Sequence, residues 1–86
     1  MIRCIAIDDE PLALKQIAGY IQKTPFLELA GLCESALMAI ELREATVVDL
    51  MFVDINMPDL NGIEFVKTLE NPPKIVFITA YSEFAL

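Results

Sequence analysis

Four oxygen-bearing side chains close apolar runs in this sequence: Asp8 and Asp9 after "IRCIAI", Asp54 in "LMFVDI", and Thr79 in "KIVFITA". Aspartates that converge on one rim repel one another unless a cation sits among them. Carboxylates unaccompanied by histidine or cysteine are hard oxygen donors, which select Mg2+, Mn2+ or Ca2+ over softer metals. Mg2+ takes one or two carboxylates, keeps several waters and fills its octahedron with phosphate oxygens. The set therefore points to chemistry on a phosphoryl group. With a cation shielding it, an Asp54 oxygen can attack phosphorus in line and form an acyl phosphate. The Thr79 hydroxyl can hydrogen-bond a phosphate oxygen. Taken singly, each position also reads as a helix cap or a wet turn, Asp9 in particular as a cap for the following helix. Only the set of four carries the functional reading.

For these residues to meet, the chain must bring four strand ends to one rim. Residues 2–7 read as a first strand. Residues 11–23 follow as a helix, with Leu14, Ile17, Ala18 and Ile21 at i, i+3, i+4 and i+7 and Pro11 in the first turn. A second strand spans 26–33, and its Glu28 suggests the edge of a sheet. Ser35 can cap a helix over 36–44 whose stripe includes Leu37 and Ile40. Residues 50–55 form a third strand, apolar on both faces as a central parallel strand must be. Asn61 and Glu64 have capping-box spacing ahead of a helix to about Leu69, and Asn71-Pro72-Pro73 stops it. Residues 74–80 form a fourth strand. Such alternation predicts an α/β fold, a doubly wound parallel sheet joined by right-handed crossovers, with function at the carboxyl ends of the strands.

Eighty-six residues make one small domain. Thirteen acids against six bases, a formal charge of −7, argue against this segment gripping nucleic acid itself. The sequence contains no histidine, and Cys4 and Cys33 lack zinc-site spacing, so both read as reduced core thiols. No apolar run approaches the roughly 18 residues that span a bilayer, and nothing resembles a signal peptide; no membrane contact and a cytoplasmic location are expected.

"IDDEP", "VDINMPDLNG" and "FITAYSEFAL" resemble the receiver domain of two-component response regulators, in register from Met1 to Leu86. "IDDEPLAL" and "TAYSEFAL" are similar to receivers joined to LytTR-type DNA-binding output domains. The resemblance implies a flavodoxin-like fold with strand order 2-1-3-4, and it implies roles. Asp54 matches the phosphoacceptor. Asp9 matches the direct Mg2+ ligand, Asp8 the acid that reaches the metal through water, and Asn56 the residue whose backbone carbonyl ligates it. Thr79 matches the switch hydroxyl and Ala80 the small residue beside it, while Pro58 and Gly62 shape the loop after the acceptor. The implied partners are a sensor histidine kinase and, through an output domain outside this segment, DNA.

The family pattern continues with a helix, a fifth strand ending in lysine, and a last helix, whereas this sequence stops at Leu86. Residues 1–86 are thus expected to be a single receiver fragment, four strands and three helices with the start of a fourth helix at Ser82, and without an output domain. No lysine present replaces the missing one: Lys74 begins the fourth strand, and Lys15, Lys23 and Lys67 fall on helices. An alternative expectation is a truncated, signalling-incompetent assembly module, pairing as a homodimer or through a strand edge. A phosphohydrolase would want an acid where Asn56 stands. An FMN phosphate would be repelled by Asp8, Asp9 and Glu10.

Overall fold

The computed structural model describes residues 1–58 and 60–78. Four strands, β1 (Ile2–Ile7), β2 (Leu27–Cys33), β3 (Leu50–Asp54) and β4 (Lys74–Ile78), alternate with helices α1 (Pro11–Gln22), α2 (Ala36–Ala45) and α3 (Gly62–Lys67). All pairings are parallel and the sheet order is β2-β1-β3-β4. This is the expected α/β order 2-1-3-4. Thr79, Ala80 and the expected helix start at Ser82 lie outside the described residues.

The period-two alternation of the strands sends their side chains to two faces. Ile5, Ile7, Met51 and Val53 pack with Cys33, Ala39 and Phe65 into one core cluster, so α2 and α3 cover that face. On the other face the buried side chains of α1, Leu14 and Ile21, belong to the stripe anticipated for that helix, with Ile17 and Ala18 half-buried. Wrapping helices on both faces explains why β1 is buried from Cys4 to Ile7. Both thiols are free and buried, and burial pushes them above their ordinary pKa.

The local signals acted unevenly. Ser35 caps α2, its Oγ accepting from the Met38 N–H at 3.2 Å. The apolar stripe of α2 is not the expected one, because Leu37 is 65% and Ile40 38% exposed. Ala39 is buried instead, with Ala36 and Leu42 packed against the core. Two alanines let the helix lie close to the sheet, and the bulkier neighbours are turned outward. Asn61 caps α3 through Ile63, not Glu64: its Oδ1 accepts from the Ile63 N–H at 2.7 Å. That helix ends two residues early, at Lys67, because Thr68 and Leu69 donate to the carbonyls three residues back.

At the amino-terminal end of the sheet, Arg3 ties three segments together. Its Nε donates to the Val47 carbonyl at 3.0 Å and its Nη2 to Thr46 Oγ1 at 2.8 Å, while Nη1 pairs with Glu28 on the outer strand β2. Arg43 does a similar service for α2, its Nη2 donating to the backbone carbonyls of Glu70 and Asn71. Asn71 adopts a left-handed φ of 48° just before Pro72, a conformation asparagine tolerates better than most residues.

Candidate acidic site at the strand ends

Parallel register is what assembles the rim. Ile7 pairs with Val53, so Asp8 and Asp54 are the next residues along two adjacent strands. Asp9 follows Asp8 before α1 begins at Pro11. The result is a cluster in which one carboxylate oxygen from each of Asp8, Asp9 and Asp54 lies within 4.8 Å of the others. Asp8 and Asp54 are 5% and 6% exposed, whereas Asp9 faces solvent.

Two of these carboxylates are pinned by backbone amides. The Glu10 N–H donates to Asp8 Oδ1 at 2.9 Å, and the Asn56 N–H donates to Asp54 Oδ1 at 3.1 Å. Each bond fixes one oxygen of its carboxylate. Burial pushes the Asp54 carboxyl above the usual carboxylate range; the Asn56 amide counters this, and the neighbouring Asp8 and Asp9 charges add to the rise. Among the described residues no lysine or arginine forms an ion pair with any of the three aspartates. Among the described residues, the Glu10 and Asn56 amides donate to these carboxylates and offset part of their mutual repulsion.

Glu10 is the N-cap residue of α1; its side chain makes no capping bond, and its contribution is the amide that holds Asp8. Nor does Asp9 cap α1, since no side-chain cap exists there. Neither amide could be found from residue type, because any residue but proline supplies one. Their signal is positional: each lies two residues beyond the carboxylate it holds, the spacing of an Asx-turn.

Behind Asp54 the chain turns sharply. Ile55 donates to the Ile78 carbonyl at 2.9 Å and accepts from the Gly62 N–H at 2.9 Å, which seats the start of α3 against the end of β3. Asn56 is exposed beside Asp54. Lys74 pairs with Leu50 at the far end of β4, four residues before the Asp54–Ile78 pair, or roughly 13 Å from the rim. Lys15 lies on α1 and Lys67 on α3, as the sequence suggests, and Lys23 is the C-cap of α1. Thr79, the fourth member of the expected set, lies outside the described residues, one step past Ile78.

Comparison with known proteins agrees with this fold. A family model described as "Response regulator receiver domain" matches residues 4–86. The chain is 38% identical over 88 residues to the transcriptional regulatory protein BtsR of Escherichia coli (strain K12), covering 100% of this chain and 37% of that protein. It is 35% identical over 89 residues to the sensory transduction protein LytT of Bacillus cereus, covering 100% of this chain and 36% of the relative. The chain thus spans little more than a third of the length of these relatives. Among solved structures, the response regulator domain of Thermotoga maritima CheB superposes with a TM-score of 0.83 at 27% identity, over 98% of this chain and 64% of that one. The response regulatory domain of mrkE from Klebsiella pneumoniae gives 0.77 at 31% identity, over 98% and 71%.

Proposed function

The chain belongs to the response regulator receiver domain family, and from that premise we propose that Asp54 is its phosphoacceptor. The observation that carries this reading is the convergence of the Asp8, Asp9 and Asp54 oxygens within 4.8 Å. Receiver domains are regulatory rather than catalytic units, and this one takes a phosphoryl group from a sensor histidine kinase or a small phosphodonor.

The donor set fits Mg2+, because all three side chains offer hard carboxylate oxygens and neither histidine nor thiol intrudes. Asp9 and Asp54 would hold the ion directly, together with the Asn56 backbone carbonyl, and Asp8 would reach it through water. When bound, the cation offsets the repulsion among the carboxylates and draws charge from the phosphoryl oxygens. The amide of Asn56 holds Asp54 Oδ1 and so orients the carboxylate whose oxygen attacks phosphorus. As its bond to phosphorus forms, the bond from phosphorus to the donor breaks and the electron pair leaves with the donor group. Thr79, following the Ile78 that neighbours Asp54, is assigned as the hydroxyl that hydrogen-bonds the new phosphate.

In this reading residues 1–86 are the receiver part of a cytoplasmic regulator whose output is DNA-binding transcriptional control. The name of the BtsR relative supports that output. Among the described residues no helix is long and apolar enough to cross a membrane. Incubation with acetyl phosphate, followed by intact-mass measurement, tests the proposal. The expected result is a Mg2+-dependent gain of one phosphoryl group that Asp54→Asn abolishes. An unchanged mass in the presence of Mg2+, or a gain that survives Asp54→Asn, overturns it.

A further inference from the structure

The two edges of the sheet are built differently. The outer strand β2 has an irregularity in its register with β1, and its acid Glu28 is held by Arg3; a bulge and a charge both blunt an edge. β4 pairs with β3 without a shift, and its Ile75–Ile78 run is uncharged, with Val76 and Phe77 each 42% exposed. Among the described residues β4 has a neighbour on one side only. Its open main-chain groups can be identified. Lys74 donates to the Asp49 carbonyl and Ile78 accepts from the Ile55 N–H, so both turn towards β3, and alternation turns Val76 the same way. The N–H and C=O groups of Ile75 and Phe77 therefore point outward.

We propose that two copies of this chain pair antiparallel through β4, so that Lys74 of each stands beside the acidic rim of the other. A two-fold axis at Val76 sets Ile75 opposite Phe77 of the second copy, and each such pair exchanges both its N–H···O bonds. An axis at Ile75 would instead set Phe77 opposite Pro73, which has no N–H to give. The side chains agree with the axis at Val76. Ile75 packs against the core on the α2–α3 face, and there Phe77 of the second copy forms an aromatic–β-branched pair with it. Phe52 and Val76 line one cavity with Ile17 and Tyr20 of α1, so by alternation Asp54 and Lys74 belong to the α1 side. In the pair Lys74 stands opposite Ile78, the strand neighbour of Asp54. The second copy's lysine is then two strand spacings, roughly 10 Å, from Asp54, a gap its flexible four-carbon stem largely spans. β4 has its cation at one end and the three acids at the other, and antiparallel pairing joins the unlike ends twice. At a formal −7 per copy, general repulsion opposes any contact that lacks this match. The pairing needs neither Mg2+ nor phosphorylation, so it stands apart from the role proposed for Asp54.

Light scattering over a concentration series up to the solubility limit should show a reversible dimer. Val76→Cys should join two chains by a disulfide under mild oxidation, because the Val76 pair is of the non-hydrogen-bonded kind, with Cα atoms about 4.5 Å apart. Lys74→Cys should not, since the two Lys74 positions lie about 13 Å apart at opposite ends of the paired strands. Lys74→Glu should raise the dimer dissociation constant about tenfold, the equivalent of two exposed charge pairs. Lys23→Glu, the same change in net charge at the C-cap of α1, should raise it little. A chain that stays monomeric throughout the series overturns the proposal. So does cross-linking by Lys74→Cys as readily as by Val76→Cys, or equal weakening by the two charge reversals.

Discussion

The backbone of Gly62 presses on Asp54: a Cβ at position 62 would sit 2.2 Å from the Asp54 carbonyl oxygen and 3.0 Å from Val53 Cγ1. The first contact is with main chain, which cannot swing aside as a side-chain tip does. Gly62→Ala should therefore push α3 away from β3, at a cost of about 1–3 kcal/mol, typical of overpacking. Urea denaturation reads this as a lower midpoint with an unchanged slope. A midpoint equal to that of the parent chain would refute the close approach.

Asp54 keeps its proton to higher pH in the fold than in the unfolded chain, chiefly because it is buried. Between the ordinary carboxylate value and the raised one, the folded state binds more protons, so stability falls as pH rises through that window. Asp54→Asn removes this falling limb. In cation-free buffer at neutral pH the variant should melt a few degrees higher than the parent, where 1 kcal/mol corresponds to about 4–8 °C for a chain of this size. Melting curves across the acid-to-neutral range check both the slope and the crossing.

Asp9 is the exposed member of the cluster, and among the described residues its side chain makes no hydrogen bond. Asp9→Asn should leave the cation-free melting temperature nearly unchanged while weakening Mg2+ binding by about tenfold or more. Calorimetric titration separates the two effects. Unaltered Mg2+ affinity would place the ion elsewhere.

Arg3→Ala removes the side-chain links to Glu28, Thr46 and Val47. The ion pair is more than a third exposed on both partners and so counts for little; the two hydrogen bonds carry most of an expected loss of about 1–2 kcal/mol. The loss should persist at high salt, which screens the pair and not the bonds to Thr46 and Val47. Denaturation at two ionic strengths decides the matter.

The strands were legible because hydrophobic runs and Gly/Pro punctuation are strong local signals, and each described strand lies within its expected range; their order followed from the family resemblance and not from these local signals. Asp8, Asp9 and Asp54 were legible because carboxylates at the ends of apolar runs cost energy unless something gathers them. What escaped was set by packing rather than pattern. The inward face of α2 depends on how closely two alanines let it approach the sheet, and Leu37 and Ile40 gave the wrong stripe. The pins on Asp8 and Asp54 come from the main chain of Glu10 and Asn56, where side-chain identity is silent. The end of α3 follows from hydrogen bonds at Thr68 and Leu69, which propensity over so short a helix does not specify.

The pairing of Ile7 with Val53 has a consequence for how the molecule can be counted. Asp8 and Asp54 are 46 positions apart in the chain, and they share an edge only when β1 and β3 are in this alignment. A slip of one residue would carry Asp54 about 3.3 Å along the strand and turn its side chain to the opposite side of the sheet. Divalent-cation affinity is thus an assay of correct strand alignment, able to distinguish a properly folded population from a compact one with the same secondary structure.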